Sequence, residues 1–170
     1  MKNMIRGLYL ALTMLLLSAS ITTAQTTIAY IDAEAIIQEM PEFKKARIDV
    51  EAHAKQLQKS LEGKQEKLKA FALDYAQKKQ QGVLSPKQEY EMDSTYKVMN
   101  AELQKETQNA QQNLAKKENT LMTPVYEKFN STLKTVATEK KWSYIADKKL
   151  FLYLEGGVDA TTDVKSKLGL

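Results

Sequence analysis

The sequence predicts a mainly α-helical protein with a small β body, and three observations carry that expectation. From Glu42 to Lys140, 49 of 99 residues are Ala, Glu, Lys or Gln, the composition that long solvated helices need. Six glycines and three prolines in 170 residues are too few for a barrel or sandwich of many tight turns. Short β-branched and aromatic runs flank the helical stretch on both sides, at residues 26–32 and after Lys141. The absence of cysteine excludes a disulfide framework, a thiolate metal site, a cysteine nucleophile and a lipidated-cysteine anchor, and one histidine leaves little for metal or acid–base chemistry.

Residues 1–24 read as a secretory signal rather than as part of the fold. Lys2 and Arg6 give a positive start, Leu8 to Leu17 form the apolar run, and Thr22 and Ala24 place small residues before a cut at Gln25. The apolar run is shorter than the roughly 18–20 residues that span a bilayer. The mature chain, 25–170, then carries +2 rather than the +4 of the whole sequence. Export without cysteine suits a bacterial envelope compartment.

Each element follows from its residues. Thr26 to Asp32 suit a strand, with Ile28 and Tyr30 on one face, Ala29 and Ile31 on the other, and both faces buried. A short helix follows Asp32, and Pro41 at a first-turn position starts a long one. Steps of four and three from Ile36 reach ten apolar residues in twelve positions: Ile36, Met40, Phe43, Val50, Ala54, Leu57, Leu61, Leu68, Phe71 and Tyr75, interrupted by Arg47 and Lys64. A 3.5-residue period held that long predicts a coiled-coil seam. Residues 81–86 form the tip of a helical hairpin, where Gly82 breaks the pattern and Ser85-Pro86-Lys87-Gln88 supplies the parts of a capping box. The returning helix carries Met92, Tyr96, Met99, Leu103, Ala110, Leu114, Leu121, Val125, Phe129, Leu133 and Val136, with a bend expected at Pro124. Pairs Glu51–Lys55, Asp74–Lys78 and Asp93–Lys97 are expected on the solvent faces.

The hairpin thus occupies 41–140, and a body is left to residues 25–40 and 141–170. Trp142 to Ala146 and Phe151 to Leu154 are expected as a strand pair joined by a turn at Asp147-Lys148-Lys149. Gly156-Gly157 ends them, and a capped helix with Val164 and Leu168 on one face is stopped by Gly169. Three short strands cannot bury their own aromatic groups, so the chain is expected to self-associate through Ile28, Tyr30, Trp142, Tyr144, Ile145, Leu152 and Leu154.

The chemistry is sparse. The 21 carboxylates fall on polar helix faces among lysines, His53 with Asp49 one turn earlier reads as a surface pair, and Ser131 has no base in a recognisable motif. No glycine loop exists for a nucleotide. No catalytic residue, cofactor or metal is therefore expected, and an enzyme is not. Residues 64–87 hold six lysines against two acids, interleaved with apolar groups. Lys67, Phe71, Tyr75, Lys78, Lys79, Val83 and Leu84 are the candidate binding residues, although the seam accounts for Phe71 and Tyr75 by itself. Export and the lack of arginine there speak against nucleic acid as the partner. A second reading makes the hairpin a structural spacer or adaptor of the envelope.

Together the signal, Ile28-Ala29-Tyr30-Ile31-Asp32, the Lys/Gln/Glu-rich hairpin, Trp142-Ser143-Tyr144-Ile145-Ala146-Asp147 and Asp159-x-Thr161-x-x-Val164 resemble the Skp, or OmpH-like, family of periplasmic chaperones. Met40-Pro41-Glu42-Phe43 is similar to members from the Bacteroidetes lineage, whereas Ala160 stands where the family often has Ile. The resemblance implies a homotrimer with a shared β-barrel-like body and three helical tentacles around a cavity. It also implies ATP-independent holding of unfolded outer-membrane β-barrel proteins. Arm lysines would further suit acidic clients or an anionic membrane surface.

Overall fold

The computed structural model describes residues 28–170; the expected signal and its cut before Gln25 lie outside the described residues. Strand β1 (Ile28–Ile31) ends at Asp32, whose Oδ1 accepts a hydrogen bond from the Ala35 N–H at 3.1 Å and so caps α1 (Ala33–Glu39). Met40 leaves the helical region, and Pro41 opens α2 (Pro41–Gln80) at its first turn, where its missing N–H costs nothing. The turn at Gln81-Gly82 needs the positive φ of 65° at Gly82. Ser85 then caps α3 (Pro86–Lys140) with a full capping box: Gln88 Oε1 accepts from the Ser85 N–H at 2.9 Å, and Ser85 Oγ accepts from the Gln88 N–H at 3.4 Å. The helix runs unbroken through Pro124 and closes on Lys141 in the left-handed region.

Three ion pairs join α2 to α3: Glu42 with Lys128, Lys64 with Glu106 at 2.9 Å, and Lys79 with Glu89 at 2.5 Å. Numbers that rise along one helix fall along the other. The expected Glu51–Lys55, Asp74–Lys78 and Asp93–Lys97 pairs are present at 3.1, 2.8 and 2.6 Å. Val50, Ala54, Leu57, Leu61, Leu68, Phe71 and Tyr75 of α2 are half-buried, as are Met92, Tyr96, Met99, Leu103, Ala110 and Leu114 of α3, while Arg47 and Lys64 are exposed. Two helices cannot enclose a side chain from all sides, which is why the seam stays half-buried for most of its length. Forty residues of α2 reach about 60 Å.

Full burial begins where α1, the sheet and the terminal helix join the pair. The buried apolar residues are Ala29, Ile31, Ile36, Met40, Ala46, Val125, Phe129, Val136, Ala160 and Val164. None lies between residues 47 and 124. The sheet consists of β1, β2 (Tyr144–Asp147) and β3 (Val158–Asp159) in the order β2-β1-β3, with both pairings parallel. A parallel neighbour needs a long crossover, and the whole α2–α3 excursion is the crossover from β1 to β2.

The expected strand pair of 142–146 with 151–154 does not form. Asp147 accepts from the Lys149 N–H at 2.8 Å and folds Lys148–Leu150 into one 3₁₀ turn, so Phe151 to Leu154 leave the sheet. The third strand is instead Val158–Asp159, paired with Ala29 and Tyr30 on the other edge of β1. Gly157 permits this, because a Cβ there would lie 3.0 Å from the Tyr30 ring. β1 is also not buried on both faces: Ala29 and Ile31 enter the core, but Ile28 is 43% exposed. Among the described residues its outer face is only partly covered, with Tyr30 half-buried beside Gly157.

Helix α4 (Thr161–Leu168) seals the inner side of the base with fully buried Val164, and Gly169 at φ 78° ends it as expected. Its N-cap, Ala160, contributes no side-chain bond; Asp159 Oδ1 instead accepts from the Thr161 N–H at 2.9 Å. Ala160 itself is fully buried. Lys165 with Glu39, Lys167 with Glu139 and Lys140 with Asp163, at 2.7, 2.5 and 2.7 Å, tie α4 to α1 and α3.

Candidate functional site

The motif carboxylates meet at the carboxyl ends of the three parallel strands. Asp32 follows β1, Lys148 follows β2, and Asp159 ends β3. Asp32 Oδ2 is 2.5 Å from Lys148 Nζ, the Asp32 N–H donates to Thr161 Oγ1 at 3.3 Å, and Lys149 pairs with Glu34. The Lys148 ammonium and the Ala35 N–H hold Asp32 below the ordinary carboxyl value of 3.8, and hydrogen bonds from Thr161 do the same for Asp159. Every polar group here serves a cap or a strand end, so the cluster is a clamp. A lowered carboxyl pKa adds stability that is present above its unfolded value and is lost as the pH falls through the folded one. We therefore expect the urea midpoint of residues 25–170 to drop as the pH is taken from neutrality below 3.8, with part of the drop absent in Asp32→Asn. An unchanged midpoint between pH 7 and pH 3 would contradict the clamp.

At the tip, Phe71, Lys78, Val83 and Leu84 come together in an open cleft of about 380 Å³. Gln88, Glu91, Met92 and Thr95 of α3 complete it. Counting residues 64–87 as one run missed these four. Folding the two limbs about Gly82 would have found them. Lys67, Tyr75 and Lys79 do not line the cleft; Lys79 lies 5.8 Å from the Tyr75 ring centre and pairs with Glu89, which raises its pKa.

The expected basic tip is also corrected. Residues 70–100, taken over both limbs, hold four lysines and four acids. In α3, Glu89, Glu91 and Asp93 stand against Lys87 and Lys97, and Glu89 pairs with Lys79 of α2, while Asp74–Lys78 and Asp93–Lys97 pair within their own helices.

At the base, the residues expected to mediate self-association divide. Trp142 and Ile145 pack against the chain's own core, and Tyr30 is half-buried. Ile28, Tyr144, Leu152 and Leu154 stay exposed, Leu152 completely, and Ile28 stands directly beside Tyr144 in the register of β1 and β2. Leu150 and Tyr153, each 76% exposed, enlarge this apolar surface. Among the described residues, no group of three or more His, Asp or Glu is placed to hold a metal ion, and no helix is long and apolar enough to cross a membrane.

A small sheet-and-helix body extended by a long two-helix arm defines a class of arm-bearing proteins. The sequence profile of the family described as outer membrane protein (OmpH-like) matches residues 27–168, and the chain belongs to that family. Its fold is similar to the crystal structure of a candidate outer membrane chaperone (OmpH-like) from Caulobacter crescentus CB15. The TM-score is 0.72 at 17% identity, with 85% of each chain covered. No curated protein matches the sequence.

Proposed function

We propose that this protein is an ATP-independent periplasmic holdase that binds unfolded outer-membrane β-barrel proteins between helical arms. The proposed working unit is a homotrimer joined through the exposed base surface around Ile28, Tyr144, Leu152 and Leu154. The observation that carries this reading is the arm itself. A seam that stays half-buried for most of its length offers apolar flanks and charged rims, while all the fully buried residues lie at the base. Unfolded strands expose apolar side chains and unpaired backbone groups, which many weak contacts along a long surface satisfy better than one pocket does. Membership of the OmpH-like family supports the same role. Each arm is proposed to act as one wall of a shared cavity, its two helices supercoiled along the 3.5-residue seam.

The test is aggregation. Several unrelated β-barrel proteins, denatured in urea and diluted with stoichiometric mature protein and no nucleotide, should scatter far less light than without it. Unchanged aggregation of all of them would reject the holdase and favour a spacer or adaptor role.

A further inference from the structure

The charge of the arm changes level by level. Residues 53–69 of α2 and 101–117 of α3, which the Lys64–Glu106 pair sets side by side, hold eight lysines against four acids, a surplus of +4. The tip beyond them, residues 70–100, is neutral, and the remainder of residues 25–170 has eleven basic residues against thirteen acids. The whole positive surplus therefore forms one band halfway along the arm. Lys59, Lys67, Lys69, Lys105, Lys116 and Lys117 of this band are exposed, and among the described residues none of them is in an ion pair. A paired charge is cancelled at a distance by its partner, so these six carry most of the outward field.

Rotation about one axis keeps every residue of a protomer at the same height as its equivalents. In a homotrimer joined through the base, each lysine band therefore stands level with the other two. No symmetric rearrangement can slide a band beside an acidic stretch of a neighbouring arm. Exposed charges interact over about a Debye length, which is about 30 Å at 0.01 M salt and about 8 Å at 0.15 M. The bands thus act across a gap and not only at contact.

Resting on the proposed homotrimer, we infer that the three lysine bands repel one another and hold the empty arms apart, so that ionic strength sets the width between them. The half-buried seam gives each arm apolar flanks, and apolar flanks of neighbouring arms attract in water. Like charge at the same level opposes that collapse. The neutral tip adds no net repulsion, and the base is joined by its own contacts, so the device acts at mid-height. Added salt screens it and draws the arms together.

The chain has no cysteine, so Ser60→Cys in the band and Ser166→Cys on α4, both at exposed positions, each place one spin label on every protomer of the 25–170 protein. Pulsed dipolar spectroscopy then reads the distances between protomers as salt rises from about 0.01 M to about 1 M, while the Debye length falls from about 30 Å to about 3 Å. The Ser60→Cys distance should shorten by on the order of 10 Å, the Debye length at 0.1 M, and the Ser166→Cys distance should stay fixed. Replacing Lys59, Lys67, Lys116 and Lys117 with Gln neutralises the band and should give the short distance already at low salt, with no further response. Replacing the same four with Arg should restore the response, and Lys44→Gln with Lys134→Gln near the base should leave it intact, helicity being checked by circular dichroism. In a three-chain assembly, a Ser60→Cys distance that ignores salt, or a shortening that survives the four Gln changes, would overturn the spacer alone. A single chain by light scattering on the same samples would reject the assembly and the spacer with it.

Discussion

Replacing residues 51–118 with a short Gly/Ser loop is expected to abolish client protection while leaving a folded body that still self-associates. Every buried residue lies outside that segment, from Ala29 to Ala46 on one side and from Val125 to Val164 on the other. The sheet, α1, α4 and the ion pairs of α4 are also untouched. What is lost is the tip cleft and most of the half-buried seam. Circular dichroism and light scattering should report a shorter but folded oligomer, and the aggregation assay should match the curve without chaperone. Full protection by the shortened protein would move the binding surface to the base.

Phe129→Ala should have the opposite outcome, damaging the fold first. Phe129 is 5% exposed and sits among Val125, Val136 and the core residues of the base, which cannot collapse fully into the space a lost ring leaves. The expected cost is about 3–5 kcal/mol, read as a lower urea midpoint. Tyr90, 75% exposed on α3, provides the contrast, since its replacement by Ala should change stability by no more than about 0.5 kcal/mol. A loss below about 1 kcal/mol at Phe129 would mean that the base is not the centre of stability.

The helices were legible in the sequence because their signals are local and periodic. Pro41, Gly82, Ser85 with Gln88, and Gly169 mark boundaries through the conformation each residue favours. The four-three repeat picked out residues that are all at least half-buried, apart from Arg47 and Lys64, which it named as interruptions. The sheet was less legible because its pairing is non-local. Phe151-Leu152-Tyr153-Leu154 has strand composition, but the 3₁₀ turn capped by Asp147 directs it away, and the two-residue β3 carries almost no propensity signal. Parallel pairing to β1 decides the matter, and no window of neighbouring residues contains that information. The same limit applies to the tip. A charge count along one limb found a basic patch, and the second limb brought the acids that cancel it.

The central claim is that a self-assembled body presents arms which hold one unfolded client. Light scattering coupled to size exclusion, on mature protein alone and after mixing with one denatured β-barrel protein, tests it most directly. The expected masses are three chains, and then three chains with one client in a soluble complex. A monomer that forms no soluble complex with the client would contradict the claim.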